Sequence, residues 1–192
     1  MDHRADNTEY LLIAYPDRAV TEKLLIERSF FRETYGVRPK QELAPHIVIS
    51  SFFASEGMET TLVRWLQKIC SLGQGFNIML NNYSGYPDGT IFLRIPDPAP
   101  IQHFVGQLSA MQDFITPGTR GLYRRPHIAI ASNLDKALYE RALSDYSRKV
   151  FNESFQVKEI VLLKRNDPFT AVRTVQVFGL LPAGNDLFNK VA

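Results

Sequence analysis

Cysteine is nearly absent from this sequence: Cys70 is its sole example. One thiol excludes an internal disulfide and predicts a reducing, cytoplasmic setting. Histidine is scarce too, four in 192 residues. There is no His-x-x-x-His and no cysteine pair, so neither a zinc site nor any other metal or cofactor is expected. Long hydrophobic runs are missing. The longest near the N-terminus, YLLIAY, is far too short for a membrane span or a signal-peptide core, so no membrane partner is expected. Charge of one sign does not dominate either. The 22 basic and 20 acidic side chains leave a formal +2, so any anion must be held by local clustering rather than by a global field. The GQG stretch at 73–75 lacks the lysine of a phosphate loop and follows a helical pattern rather than a strand, and no Gly-x-Ser-x-Gly elbow occurs. What is present is ordinary for a globular protein, 45% hydrophobic and 22% charged, in a chain long enough to bury a substantial core.

The periodicities lay out a regular order of elements. EYLLIAY (9–15) reads as a buried strand, with residues 1–8 ahead of it as a flexible tail. Helical spacing runs from Asp17 to Tyr35. HIVISSF is a strand, followed by a helix that opens near Ser55 and stops at Gly73. FNIMLNNY (76–83) and TIFLRI (90–95) form a hairpin across the turn-rich SGYPDGT. A second helix-rich stretch, IQHFVGQLSAMQDFI, leads to the strand HIAIAS. Ser132 or Asn133 then caps a helix from 134 to about 150. FQVKEIVLL (155–163) and AVRTVQVFGLL (171–181) both alternate like strands.

That order repeats. Leu12 to His46 is 34 residues and Phe92 to His127 is 35; His46 to Phe76 is 30 and His127 to Phe155 is 28. The period is 127 − 46 = 81, too long for a solenoid. It fits a pseudo-two-fold duplication of a strand–helix–strand–helix–strand unit, with repeats at about 9–84 and 89–181 in a single two-lobed domain spanning 9–192. The expected fold class is α+β, with antiparallel-rich sheets around a central cleft.

The duplication centres on LAPHIVISSF and RRPHIAIAS, each a Pro-His-Ile entering an apolar strand. Side chains alternate along a strand. Ile47 and Ile49 therefore point one way, with His46, Val48 and Ser50 opposite them. Ile128 and Ile130 likewise oppose His127, Ala129 and Ala131. A strand-end histidine often does no more than satisfy a carbonyl. Two at matching places in a duplicated unit, facing small side chains, instead suit acid–base chemistry in a shared cleft. One neutral imidazole takes a proton and the other, protonated, gives one.

On these residues the chain resembles the 2H phosphoesterases, the superfamily that includes bacterial 2′-5′ RNA ligases and cyclic phosphodiesterases. The family motif is His-x-Thr/Ser, usually followed by an apolar residue. Here the copies read His46-Ile47-Val48-Ile49 and His127-Ile128-Ala129-Ile130. The resemblance implies that His46 and His127 are catalytic, on a 2′,3′-cyclic phosphate or 2′-5′ phosphodiester of RNA or a nucleotide, without a metal, in a monomer. It also implies that positions 48 and 129 help hold the phosphate. Both hydroxyls are missing, and each hydrogen bond to a charged group is worth roughly 1.5–3 kcal/mol. Ser50, four residues past His46, is read as a partial replacement. A catalytically weakened RNA- or nucleotide-binding module of the same fold is the alternative.

Around the histidines, Arg125 and Tyr123 share the nominal parity of His127. Arg125 is either a phosphate clamp or a solvated loop arginine. Lys164, Arg165 and Arg173 are either further phosphate ligands or charged hairpin residues. Tyr10, Tyr83 and Tyr86 are either platforms for a base or ordinary strand aromatics. His103 reads as a surface side chain, and Met111, Phe114 and Ile115 as core.

Overall fold

The computed structural model describes residues 7–37, 43–117, 121–122, 125–165 and 172–183. Nine strands and four α-helices are described: β1 (Asn7–Ala14), α1 (Arg18–Tyr35), β2 (Ile47–Ser55), α2 (Glu59–Leu72), β3 (Phe76–Tyr86), β4 (Thr90–Arg94), α3 (Ala99–Gln107), β5 (Gly121–Leu122), β6 (His127–Ala131), α4 (Lys136–Tyr146), β7 (Asn152–Val157), β8 (Glu159–Arg165) and β9 (Arg173–Gly179). They build two antiparallel sheets, ordered β5-β2-β1-β8-β9 and β6-β4-β3-β7. The expected α+β fold with a pseudo-two-fold is therefore present. In both sheets the histidine-bearing strand, β2 or β6, lies beside the strand that opens its repeat, β1 or β4.

Local chemistry sets the ends of the elements. Asp17 caps α1 by accepting from the Val20 amide at 2.9 Å, and Gly36 ends it in a left-handed conformation, φ 69°. Helix α4 is capped by Asp135, which accepts from Leu138 at 2.9 Å. The sequence pattern placed that cap at Ser132 or Asn133, but Asn133 is itself left-handed, φ 58°, and turns the chain before the helix starts. The expected helix 101–115 divides into α3 and a 3₁₀ segment, Leu108–Phe114. Strand β1 begins at Asn7, which pairs with Ser55, so residues 7 and 8 belong to the sheet rather than to a tail.

The largest departure lies in 155–163, which read as one strand. It is two. Strand β7 pairs with β3 in the second sheet, and after Lys158 the chain passes into β8, which pairs with β1 in the first. In the same way β3, from the first sequence repeat, sits beside β4 in the second sheet. Each sheet thus contains strands from both repeats. Helix α1 likewise packs against β6 and β7 of the second sheet. Beneath the two sheets one continuous core runs from Leu12, Ile47 and Phe178 to Leu80, Leu93, Ile128 and Phe155, all 3% exposed or less.

Candidate functional site

The two histidine strands are built alike to an unexpected degree. Pro45 and Pro126 are buried, while His46 and His127 are half-buried at the strand mouths. His46 Nδ1 lies 2.8 Å from the Ala44 carbonyl and His127 Nδ1 lies 3.0 Å from the Arg125 carbonyl. A carbonyl only accepts, so Nδ1 carries the proton in both rings, and Nε2 is the nitrogen turned away from that carbonyl. In each case the acceptor is the residue just before the proline. Proline fixes φ and restricts its predecessor to extended conformations, which aims that carbonyl back at the ring. This is the physical reason for Pro-His in both copies.

Both strands also carry a β-bulge at the third residue past the histidine. Register steps from Leu12–Ser50 to Ile13–Val48, leaving Ile49 over, and from Ile91–Ala131 to Phe92–Ala129, leaving Ile130 over. Before the bulges the expected faces hold. Ile47, Ile49, Ile128 and Ile130 are buried in the core. His46, Val48, His127 and Ala129 line one cleft of about 310 Å³, counting the space open to solvent, and the fifth lining residue is Arg28 of α1.

Past the first bulge, parity reverses. Ser50 is 1% exposed and lines a separate small cavity with Leu12, Phe52, Leu108, Met111 and Ile115. Its placement on the histidine face is corrected: strict alternation fails where an extra residue enters the strand. Arg125 is exposed and offers its backbone, not its guanidinium, to the cleft: its carbonyl meets His127 Nδ1 and lies 3.4 Å from the Tyr86 hydroxyl. Tyr123 lies outside the described residues. Lys164 pairs with Glu59 at 2.7 Å and Glu56 at 3.1 Å, and Arg165 pairs with Glu9. Arg173 is exposed. Tyr10 and Tyr83 are core residues. Tyr86 stacks on Phe92, 4.2 Å between centroids, and meets His127 edge-on at 5.2 Å; Tyr15 meets His46 edge-on at 6.2 Å. His103 is exposed, and Met111 is buried as expected.

Burial lowers the His46 pKa from its ordinary 6.5; the Ala44 carbonyl opposes this, and the charges of Arg28 and His127 reinforce it. Burial also lowers the Arg28 guanidinium to about 10, with Arg32 adding to the shift. At neutral pH the cleft therefore presents a neutral imidazole at His46 beside a protonated guanidinium. Arg28 escaped the sequence reading because α1 looks like any charged amphipathic helix. Among the described residues no group of three or more His, Cys, Asp or Glu is arranged to hold a metal ion, and no helix is long and apolar enough to cross a membrane.

Solved structures share this architecture. Escherichia coli LigT complexed with 3′-AMP superposes with a TM-score of 0.68 at 15% identity, covering 91% of this chain and 99% of that one. LigT complexed with phosphate gives 0.61 at 14%, covering 92% and 99%. TT0787 of Thermus thermophilus gives 0.63 at 12%, covering 90% and 97%. At these identities the likeness shows the fold. No curated protein matches the sequence. The sequence model of the 2′-5′ RNA ligase superfamily, however, matches residues 22–168, a span that holds both histidine strands and well over half of the chain, and the protein belongs to that superfamily.

Proposed function

We propose that the protein is a phosphoesterase that opens a 2′,3′-cyclic phosphate, or cleaves or joins a 2′-5′ phosphodiester, on RNA or a nucleotide, with His46 and His127 as its acid–base pair. The observation that carries this reading is the matched pair of Nδ1-anchored imidazoles lining one cleft. Membership of the superfamily supports it, as does the fold shared with a protein solved with phosphate and with 3′-AMP.

His46, whose pKa is lowered, is the general base. In hydrolysis of a cyclic phosphate its Nε2 takes a proton from water as the water oxygen bonds to phosphorus. The bond from phosphorus to one ribose oxygen breaks, and His127 gives that oxygen a proton. The proton count closes, and neither step calls on a metal.

The test is turnover of 2′,3′-cyclic nucleotides and 2′-5′ dinucleotides by the native protein and by His46→Ala and His127→Ala. Each substitution is expected to lower kcat by about 10²–10⁴ while EDTA leaves the native rate unchanged. Full activity in either variant, or loss of activity in EDTA, would overturn the reading.

A second reading is favoured by Val48 and Ala129, which line the cleft without the motif hydroxyls. In it the protein binds RNA ends or nucleotides without turning them over. Affinity for 3′-AMP together with no turnover of any of these substrates would select it.

A further inference from the structure

Arg28 breaks the pseudo-symmetry of the cleft. Offset by the repeat period, 28 + 81 = 109, the chain has Ser109, an exposed residue whose hydroxyl donates to the Gly106 carbonyl at 2.8 Å. The positive charge at Arg28 is thus not duplicated. Although α1 belongs to the first repeat, it lies against β6 of the second sheet. Arg28 consequently reaches β6 and the segment that leads into β2. Its Nε and Nη2 donate to the Ala129 carbonyl, at 3.2 and 2.7 Å, and its Nη1 donates to the Leu43 carbonyl at 2.7 Å. Leu43 lies three residues before His46 and Ala129 two after His127.

These bonds spend three of five N–H donors on neutral carbonyls. Among the described residues no carboxylate pairs with Arg28, and a second cation, Arg32, acts on it. A half-buried guanidinium with no counter-ion among the described residues is costly. It lines the same cleft as the two imidazoles, where the family places phosphate-holding hydroxyls and this chain places Val48 and Ala129. An anion seated there supplies a counter-charge that none of the described residues provides, and a guanidinium offers phosphate paired donors that one hydroxyl does not.

We infer that Arg28 holds the phosphate in this cleft in place of the two absent motif hydroxyls, as a single charged anchor serving both halves. The inference rests on the phosphoesterase reading for the identity of the anion, but it is tested by binding alone. In the native protein, labelled with ¹⁵N, titration with inorganic phosphate is expected to shift the Arg28 Nε–H signal and the His46 ring signals with one common Kd. An Arg28 signal that stays still while His46 moves would overturn the inference without any variant being made.

Arg28→Gln, which keeps one amide donor and loses the charge, is expected to weaken phosphate and 3′-AMP ten- to a hundredfold. Arg28→Lys, which keeps the charge and loses the fork, should weaken them less than tenfold. The groups facing the His46 ring are Arg28 from α1, His127 from β6 and Tyr15 at the end of β1. In Arg28→Gln the His46 titration midpoint is therefore expected to rise, and in Arg28→Lys to stay low. A purely structural strut would lower the melting temperature of both variants while leaving the phosphate Kd of the folded protein and the His46 midpoint where they were; that result would overturn the inference. Phosphate binding that depends on Arg28 in a protein without turnover would sink the enzymatic reading and leave this one standing.

Discussion

Each imidazole is fixed within a run of three residues: one lending its carbonyl, a proline aiming it, and the histidine itself. That unit was legible because it occurs twice, and because packing alone has no use for two matched imidazoles. Arg28 was not legible. Nothing in the spacing of α1 says that a helix from the first repeat will lie on the second sheet, so nothing in the sequence sets this arginine apart from the others of the helix. Ser50 misled for a different reason, since one extra residue at Ile49 exchanges the faces beyond it. The lowered pKa of His46 has a consequence for stability. A histidine whose folded pKa is below its unfolded value binds fewer protons when folded. Its contribution is present above the unfolded value near 6.5 and is lost as pH falls through the folded value. Stability is expected to fall with acidification through that window, and to fall less steeply in His46→Gln. Urea midpoints of both proteins between neutral and mildly acidic pH measure it; equal slopes would mean that burial does not disfavour the charged ring.

At the scale of elements, periodicity located most strands and helices because each buries one face. It failed where two elements abut without a turn signal. In FQVKEIVLL only the adjacent exposed Lys158 and Glu159 mark the passage from β7, which alternates, to β8, where residues 160–163 are all buried. The β3–β4 hairpin, by contrast, announced itself through PDG. Gly89 sits in its turn at φ 84°, with its amide 3.1 Å from the Tyr86 carbonyl and its own carbonyl accepting from Leu134 at 3.1 Å. A Cβ there would lie 2.3 Å from the Leu134 carbonyl oxygen. Gly36, at φ 69°, has nothing within 4 Å of its virtual Cβ. Gly36→Ala is therefore expected to cost only the left-handed conformation, about 1–2 kcal/mol. Gly89→Ala should cost that plus displacement of the loop entering α4, about 3 kcal/mol or more in all. Denaturant titration of the two variants isolates the clash as their difference, and equal losses would show that the loop yields freely.

The duplication visible in the sequence does not cut the molecule into halves. Along α1, Lys23 pairs with Glu153, Glu27 lies 3.4 Å from Lys149, Phe31 packs on Tyr146 at 5.5 Å between centroids, and the Tyr35 hydroxyl donates to Asp145 at 2.8 Å. These positions are four apart, so they form one stripe, and every partner lies in the second repeat. The exposed ion pairs are each worth little. The buried Phe31–Tyr146 contact and the exchanged strands carry the coupling: β1 pairs with β8 of the second repeat, and β3 of the first pairs with β4 and β7. Removing either repeat strips a central strand of a neighbour and uncovers core that the other repeat fills. Since both walls of the cleft depend on this exchange, histidine geometry should persist until the whole molecule unfolds. Calorimetry of the intact chain is expected to show one transition, with calorimetric and van't Hoff enthalpies equal, and residues 1–88 expressed alone should remain unfolded by circular dichroism. Two resolved transitions, or a folded N-terminal half, would mean that the exchanged strands add little and that each sheet stands on its own.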